Sequence, residues 1–205
     1  MQGWRKRQED AHLAAVSKGE KKDIDVFGVF DGHGGKEISK FVSNHFLEEL
    51  VANKNLPSDM SLALKEMFIK MDEIMQTKEG IEEIKKYSRQ SKEEDERQSK
   101  NEPPNSQMQL LAQLMPAKDP EANDIFMRTG CTACVMGIDE TNKKIYFANA
   151  GDSRVVLCRK GVAEEGSKDH KPEMESEKNR IYKADGWISE GRVKGNLNLT
   201  RGFGD

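Results

Sequence analysis

Asp31-Gly32-His33-Gly34-Gly35 places a carboxylate, an imidazole and three glycines within five residues. Asp31 offers hard oxygen atoms suited to Mg²⁺ or Mn²⁺. Gly32 has no side chain, so its own carbonyl can approach the same ion. His33 can give or take a proton near neutral pH. Together these residues describe a metal and phosphate site.

Two other segments carry compatible groups. Upstream, Arg5 precedes the adjacent carboxylates Glu9 and Asp10. A guanidinium is a planar fork for phosphate oxygens, and the two acids can hold a metal or its waters. Downstream, Gly151-Asp152-Ser153-Arg154 is a turn with a single acid after an apolar run. Near Asp31, Asp152 would supply a further oxygen ligand.

The elements that must position these groups are legible from hydrophobic spacing. Ile24-Asp25-Val26-Phe27-Gly28-Val29-Phe30 is a short run rich in β-branched and aromatic residues, which predicts a strand with Asp31 at its exit. Ile38, Phe41, Val42, Phe46 and Leu50 recur at three- and four-residue intervals and predict an amphipathic helix. A dinucleotide-binding turn is excluded, because the third glycine of G-x-G-x-x-G would fall at Glu37. After a polar break at residues 53–58, Met60, Leu64, Met67, Met71 and Met75 predict a second helix with a methionine-rich core face.

Beyond Thr77 the apolar pattern thins to Ile81, Ile84 and Tyr87. Residues 78–102 then hold eight acids and seven bases. This reads as a charged, mobile insertion at about 77–106, either a docking or regulatory segment or a solvated helix extension or disordered loop, the latter pair being favoured. Met108, Leu111, Leu114 and Met115 suggest a short helix before Pro116. Residues 131–138, 144–149 and 154–158 read as consecutive antiparallel strands separated by turn compositions. Pro172 opens a charged helix that Gly186 closes. Strand, two helices, several strands and a helix give an α+β order within one domain spanning 1–205.

Composition narrows the function classes. The net charge of −3 and the near-cancelling charges of the insertion lack the one-signed footprint of a nucleic-acid binder. No apolar run approaches the length of a membrane span, and the first residues show neither a signal peptide nor an N-terminal glycine for myristoylation. Three cysteines fit a reducing compartment. Cys131 and Cys134 have C-x-x-C spacing, but on a strand they point to opposite faces and make a poor zinc pair. The expectation is an intracellular protein, cytoplasmic or nuclear, and monomeric.

Six segments follow one another in an order that resembles the type 2C metal-dependent serine/threonine phosphatases, the PPM family. They are residues 1–12, Val29-Phe30-Asp31-Gly32-His33-Gly34-Gly35, Thr129-Gly130-Cys131-Thr132-Ala133, Asn149-Ala150-Gly151-Asp152-Ser153-Arg154, Asp169-His170-Lys171-Pro172 and Asn198-Leu199-Thr200-Arg201-Gly202-Phe203-Gly204-Asp205. The resemblance implies a four-layer αββα fold, a sandwich of two antiparallel β-sheets flanked by helices. It also implies a binuclear Mn²⁺ or Mg²⁺ centre with a weaker third ion, acting on phosphorylated protein substrates.

Carried over by position, Asp31 bridges both metals, the Gly32 carbonyl is a ligand, and Glu9 and Asp10 act through metal-bound waters. Asp152 belongs to the third position, and Thr132 supports the site. Arg5 binds the substrate phosphate and His33 protonates the leaving serine or threonine oxygen; His12 and His170 are assigned structural roles. Two cations make hydroxide available at neutral pH and neutralise the phosphoryl group during in-line attack.

The family's further metal-binding aspartates fall in motifs beyond Asp205, and its first strand precedes the segment that begins at residue 1. The sandwich and the metal site are therefore expected to be incomplete, as in a piece of a larger chain or a shortened gene product. Gly202 stands where the family usually has alanine, a change expected only to loosen the turn. The competing reading is a catalytically incomplete, phosphatase-like binding or regulatory module.

Overall fold

A computed structural model describes residues 2–5, 7–16, 24–56, 58–99 and 125–205. The helix expected around Met108 to Met115 and the last part of the insertion, residues 100–106, lie outside them. The elements in chain order are β1 (Ala11–Val16), β2 (Ile24–Phe30), β3 (Gly32–His33), α1 (Glu37–Ala52), α2 (Met60–Met75), α3 (Lys78–Ser99), β4 (Gly130–Cys131), β5 (Ala133–Asp139), β6 (Lys144–Ala150), β7 (Val156–Arg159), β8 (Val162–Glu165), α4 (Glu175–Lys183), β9 (Ile188–Ser189) and β10 (Arg192–Val193). None of the described helices is long and apolar enough to cross a membrane.

β1, β2, β5 and β6 form an antiparallel sheet in the order β1-β2-β5-β6. Register sorts their side chains onto two faces. On one face Val26 and Phe30 of β2, with Ala133 and Val135 of β5, are sealed beneath the helices. On the other, Val29 pairs with His12 and Cys134 and is 53% exposed. The remaining strands form three two-stranded ladders, β3-β4, β7-β8 and β9-β10. This is the expected α+β class with antiparallel sheets and flanking helices. The large sheet is covered by helices on one face, as an incomplete sandwich would be.

Both predicted helical stripes are core. Ile38, Phe41, Val42, Phe46 and Leu50 of α1, and Met60, Leu64, Met67, Met71 and Met75 of α2, are each at most 2% exposed. Asp59 caps α2 by accepting a hydrogen bond from the Leu62 N–H at 2.9 Å. Aromatic contacts run from Phe30 through Phe46 and Phe68 to Phe203, with centroid separations of 6.0, 5.9 and 5.3 Å, and so tie the C-terminal segment to the core.

Three expectations are corrected. First, Lys78–Ser99 is a continuous helix, the helix-extension alternative in place of a mobile stretch. Ile84 and Tyr87 are buried against the core, and the Tyr87 hydroxyl joins Asn44 of α1 to Glu83. A few apolar residues at helical spacing suffice to seat it.

Second, residues 131–138 are not one strand. Thr132 separates β4 from β5 because its N–H donates to the Asp31 carbonyl at 2.9 Å instead of continuing the ladder. Cys131 and Cys134 are free thiols on the two sides of that break. Third, the next strand begins at Val156 and pairs with β8, not β6. Lys160 and Gly161, both at positive φ, form the tight turn that closes this hairpin.

Candidate active site

Asp31 leaves β2 as the last core residue, Phe30, is sealed at 0% exposure, so its backbone is fixed behind while its carboxylate faces solvent. Gly32 packs on the N-terminal segment: a Cβ there would lie 2.3 Å from the Glu9 carbonyl oxygen. That carbonyl also accepts a hydrogen bond from the Ser39 hydroxyl of α1. Gly34 adopts φ +70°, and a Cβ would lie 1.7 Å from the Arg128 carbonyl oxygen. Only glycine fits that turn.

Thr132 joins two turns that lie far apart in sequence. Its side chain is buried, and its hydroxyl accepts the Asp31 N–H at 3.3 Å while sharing a 2.6 Å hydrogen bond with the Ser153 hydroxyl. The turn carrying Asp152 is thereby placed beside Asp31.

The neighbouring carboxylates act on Asp31. Burial raises the Asp31 pKa above its ordinary value, and the negative charge of Asp10, a hydrogen bond with Asp10 and the charge of Asp152 raise it further; His33 opposes them. Asp10 and Asp152 are thus both within electrostatic reach of Asp31. Asp152 also takes an ion pair from the Lys171 ammonium. Among the described residues, no group of three or more His, Cys, Asp or Glu side chains is arranged to hold a metal.

His33 contacts a residue that sequence reasoning did not single out. Its Nε2 lies 2.7 Å from Asp205 Oδ1. Burial lowers the His33 pKa, but the hydrogen bond and charge of Asp205, with the charges of Asp31 and Asp152, outweigh it and leave the imidazole more basic than usual. β4 explains the proximity: Gly130 pairs with His33, and Cys131 exchanges hydrogen bonds of 3.0 and 2.8 Å with Phe203. The Gly204 N–H donates to Asp72 of α2 at 3.1 Å, which anchors the same segment.

Gly202 does more than loosen a turn. A Cβ there would lie 2.3 Å from Asp205 Oδ2, so the glycine makes room for the carboxylate. The sequence signal for Asp205 was its place in the last quoted motif. Lys171 likewise lay in a quoted motif without a role.

Arg5 is not brought against these acids by any described contact. It is exposed, and its carbonyl accepts the Gln2 side-chain amide at 2.7 Å. His12 is exposed on the open face of β1. His170 is structural: its N–H donates to the Gly151 carbonyl at 2.8 Å, its Nδ1 accepts the Gly151 N–H at 3.2 Å, and its carbonyl accepts the Thr200 N–H at 3.0 Å. A groove of about 1170 Å³ has His33, His170 and Asp205 among its lining residues, while Arg5, Asp31 and Asp152 are not among them.

The family model of protein phosphatase 2C matches residues 1–86 and 75–205. The chain belongs to the protein phosphatase 2C family. It is 42% identical over 206 residues to "Probable protein phosphatase 2C 3" of Paramecium tetraurelia and 40% identical over 216 residues to "Probable protein phosphatase 2C 21" of Arabidopsis thaliana. Each alignment covers the whole chain but only 57% and 58% of the relative, respectively. The chain therefore spans little more than half the length of these protein phosphatase 2C relatives.

A solved structure of a C. elegans sex-determining protein superposes with a TM-score of 0.67 at 27% identity, covering 99% of this chain and 42% of that one. A phosphatase from Toxoplasma gondii shares the fold with a TM-score of 0.60 at 21% identity, over 98% of this chain and 61% of that one. The match to the protein phosphatase 2C family includes the N-terminal segment, the Asp31 turn, the Thr132 junction, the Asp152 turn and the Asp205 segment.

Proposed function

We propose that this chain supplies part of the catalytic site of a metal-dependent protein serine/threonine phosphatase. The observation that carries the reading is the Asp31 turn, where Thr132 holds the Asp152 turn in place and Asp10 approaches within hydrogen-bonding range. An all-oxygen donor set in which Asp10 and Asp152 crowd negative charge around Asp31 suits a hard cation, which would relieve that repulsion. Asp31, the Gly32 carbonyl and Asp10 would hold Mn²⁺ or Mg²⁺, with Glu9 acting through water and Asp152 at a weaker third position. When bound, two such ions supply an activated water and neutralise phosphoryl charge.

The chain's own residues account for the remaining roles. Arg5 would take the substrate phosphate through a bidentate contact. His33, made more basic by Asp205, would give its proton to the departing serine or threonine oxygen, a step typically worth about 10²–10⁴-fold. The substrates would be phosphorylated proteins.

A second reading, a phosphatase-like binding module, draws on the Lys171 ammonium already paired with Asp152 and on the lack of a three-residue ligand set among the described residues. Mn²⁺-dependent phosphate release from a phosphothreonine peptide by the complete protein separates the two. Asp31→Asn is expected to lose at least about 100-fold in kcat/KM, about 2.7 kcal/mol of transition-state stabilisation. Equal rates for the two proteins would sink the phosphatase reading.

A further inference from the structure

The charged helix α3 is the sequence feature that the site so far leaves without a role. It packs antiparallel to α1: Glu83 meets His45 at 2.9 Å, Tyr87 meets Asn44 at 2.9 Å and lies 4.5 Å beneath the Lys40 ammonium, and Glu94 meets Lys36. Lys36 is the residue before α1, directly after the Gly34-Gly35 turn. α3 then continues past the start of α1. The twelve residues from Glu83 to Asp95 span about 18 Å of helix. At that point Asp95 Oδ2 lies 2.6 Å from Arg7 Nη2. Arg7 is two residues from Arg5 and two from Glu9.

We propose that the C-terminal half of α3 is an electrostatic latch on the phosphate-binding segment, with Asp95 and Glu94 as positioning residues that act through Arg7 and Lys36. Residues 2–5 and 7–10 carry no helix or strand, so order there must come from outside contacts. Among the described residues these include the Ser39 hydroxyl on the Glu9 carbonyl, Asp31 against Asp10, and Asp95 on Arg7, the last being the one that α3 supplies. The carboxylate engages Arg7 rather than Arg5, so the latch restrains the segment from beside the phosphate-binding guanidinium. Lys36 and Glu94 fix the other side, where the glycine turn enters α1. The Arg7 and Asp95 side chains are 60% and 35% exposed, so the restraint is modest and sensitive to salt.

This rests on the phosphatase reading for its kinetic arm. In the complete protein, D95N is expected to raise KM for a phosphothreonine peptide about threefold, the size of one exposed ion pair, with kcat within about twofold. E94Q/D95N is expected to raise it about tenfold, and the charge exchange R7D/D95R to recover most of the D95N loss. Unchanged KM in E94Q/D95N, or no recovery in the exchange, overturns the latch.

Amide hydrogen exchange across residues 7–10 provides an arm independent of turnover. It should accelerate in D95N and slow again in R7D/D95R; exchange unaffected by D95N also overturns the proposal. A wild-type protein without turnover would defeat the phosphatase reading alone, and the exchange measurement would still decide the latch.

Discussion

Phe30 and Glu177 are both nearly sealed from solvent, at 0% and 3% exposure, yet they sit in regions held by different forces. Around Phe30, α1, α2 and the four-stranded sheet interlock through Phe, Ile, Val and Met side chains. Around Glu177, the chain from Gly151 to Asp205 is held largely by charge. Arg201 donates to Glu177 at 2.9 and 2.7 Å, Arg180 at 2.8 Å and the Thr200 hydroxyl at 2.9 Å. Arg154 grips Asp169 with two bonds of 2.9 and 2.7 Å, and Lys171 pairs with Asp152. The candidate site straddles this boundary: Asp31 and His33 belong to the apolar half, Asp152 and Asp205 to the polar one. Packing sets the first pair rigidly, whereas the second pair depends on solution conditions.

The largest expected effect tests the apolar side. Phe30→Ala should lower unfolding free energy by about 3–5 kcal/mol in urea denaturation. Val29→Ala next door, on the open face, should cost less than about 1 kcal/mol. Equal costs would mean that the two faces of the sheet are equally packed and would remove the contrast.

On the polar side, Glu177→Gln should cost about 2 kcal/mol by the same measurement. The change leaves two half-exposed guanidiniums facing an amide in place of a buried carboxylate. A cost near zero would show that apolar contacts of Ile181, Leu199 and Phe203 hold that region instead.

Acid titration sharpens the contrast further. Burial alone would raise the Glu177 pKa, but hydrogen bonds from Arg201, then Arg180 and Thr200, outweigh it and lower the pKa from 4.5 to about 2. A carboxylate depressed in the folded state stabilises fully above its unfolded pKa and loses that contribution as pH falls through the folded value. Stability should therefore decline between about pH 4.5 and pH 2, and the decline should be shallower in Glu177→Gln. Identical profiles would remove Glu177 as the cause.

The smallest effect concerns the exposed clamp. Arg154→Lys replaces a bidentate fork by a point charge against Asp169, so the urea midpoint should fall slightly at low salt and match wild type at about 0.5 M salt. A shift that persists in salt would point to packing rather than charge.

The sequence was most readable where structure is local. The stripes from Ile38 to Leu50 and from Met60 to Met75 became buried helix faces because a 3.6-residue period records which side meets a core. Asp31, Thr132 and Asp152 stand out in the sequence as candidate site residues, and the structure brings their turns together. Beyond Thr77 the sequence left a helix and a mobile stretch both open, because the seat of α3 on α1 needs only a few apolar residues, and its remaining anchors, Lys36 and Arg7, lie elsewhere in the chain. β7 was paired with the wrong neighbour because apolar runs do not reveal which strand edge is free.

By itself, the sequence determined the class of elements, the order of six motifs and hence the family, because propensity and periodicity act over a few residues. Only the tertiary structure decided that Asp205 meets His33 across 172 residues, that Thr132 takes the Asp31 N–H across 101, and that Lys171 claims Asp152. Such pairs depend on how β4 inserts between β3 and the Phe203 segment and on the core that fixes all three. No local pattern encodes a partner brought near by packing.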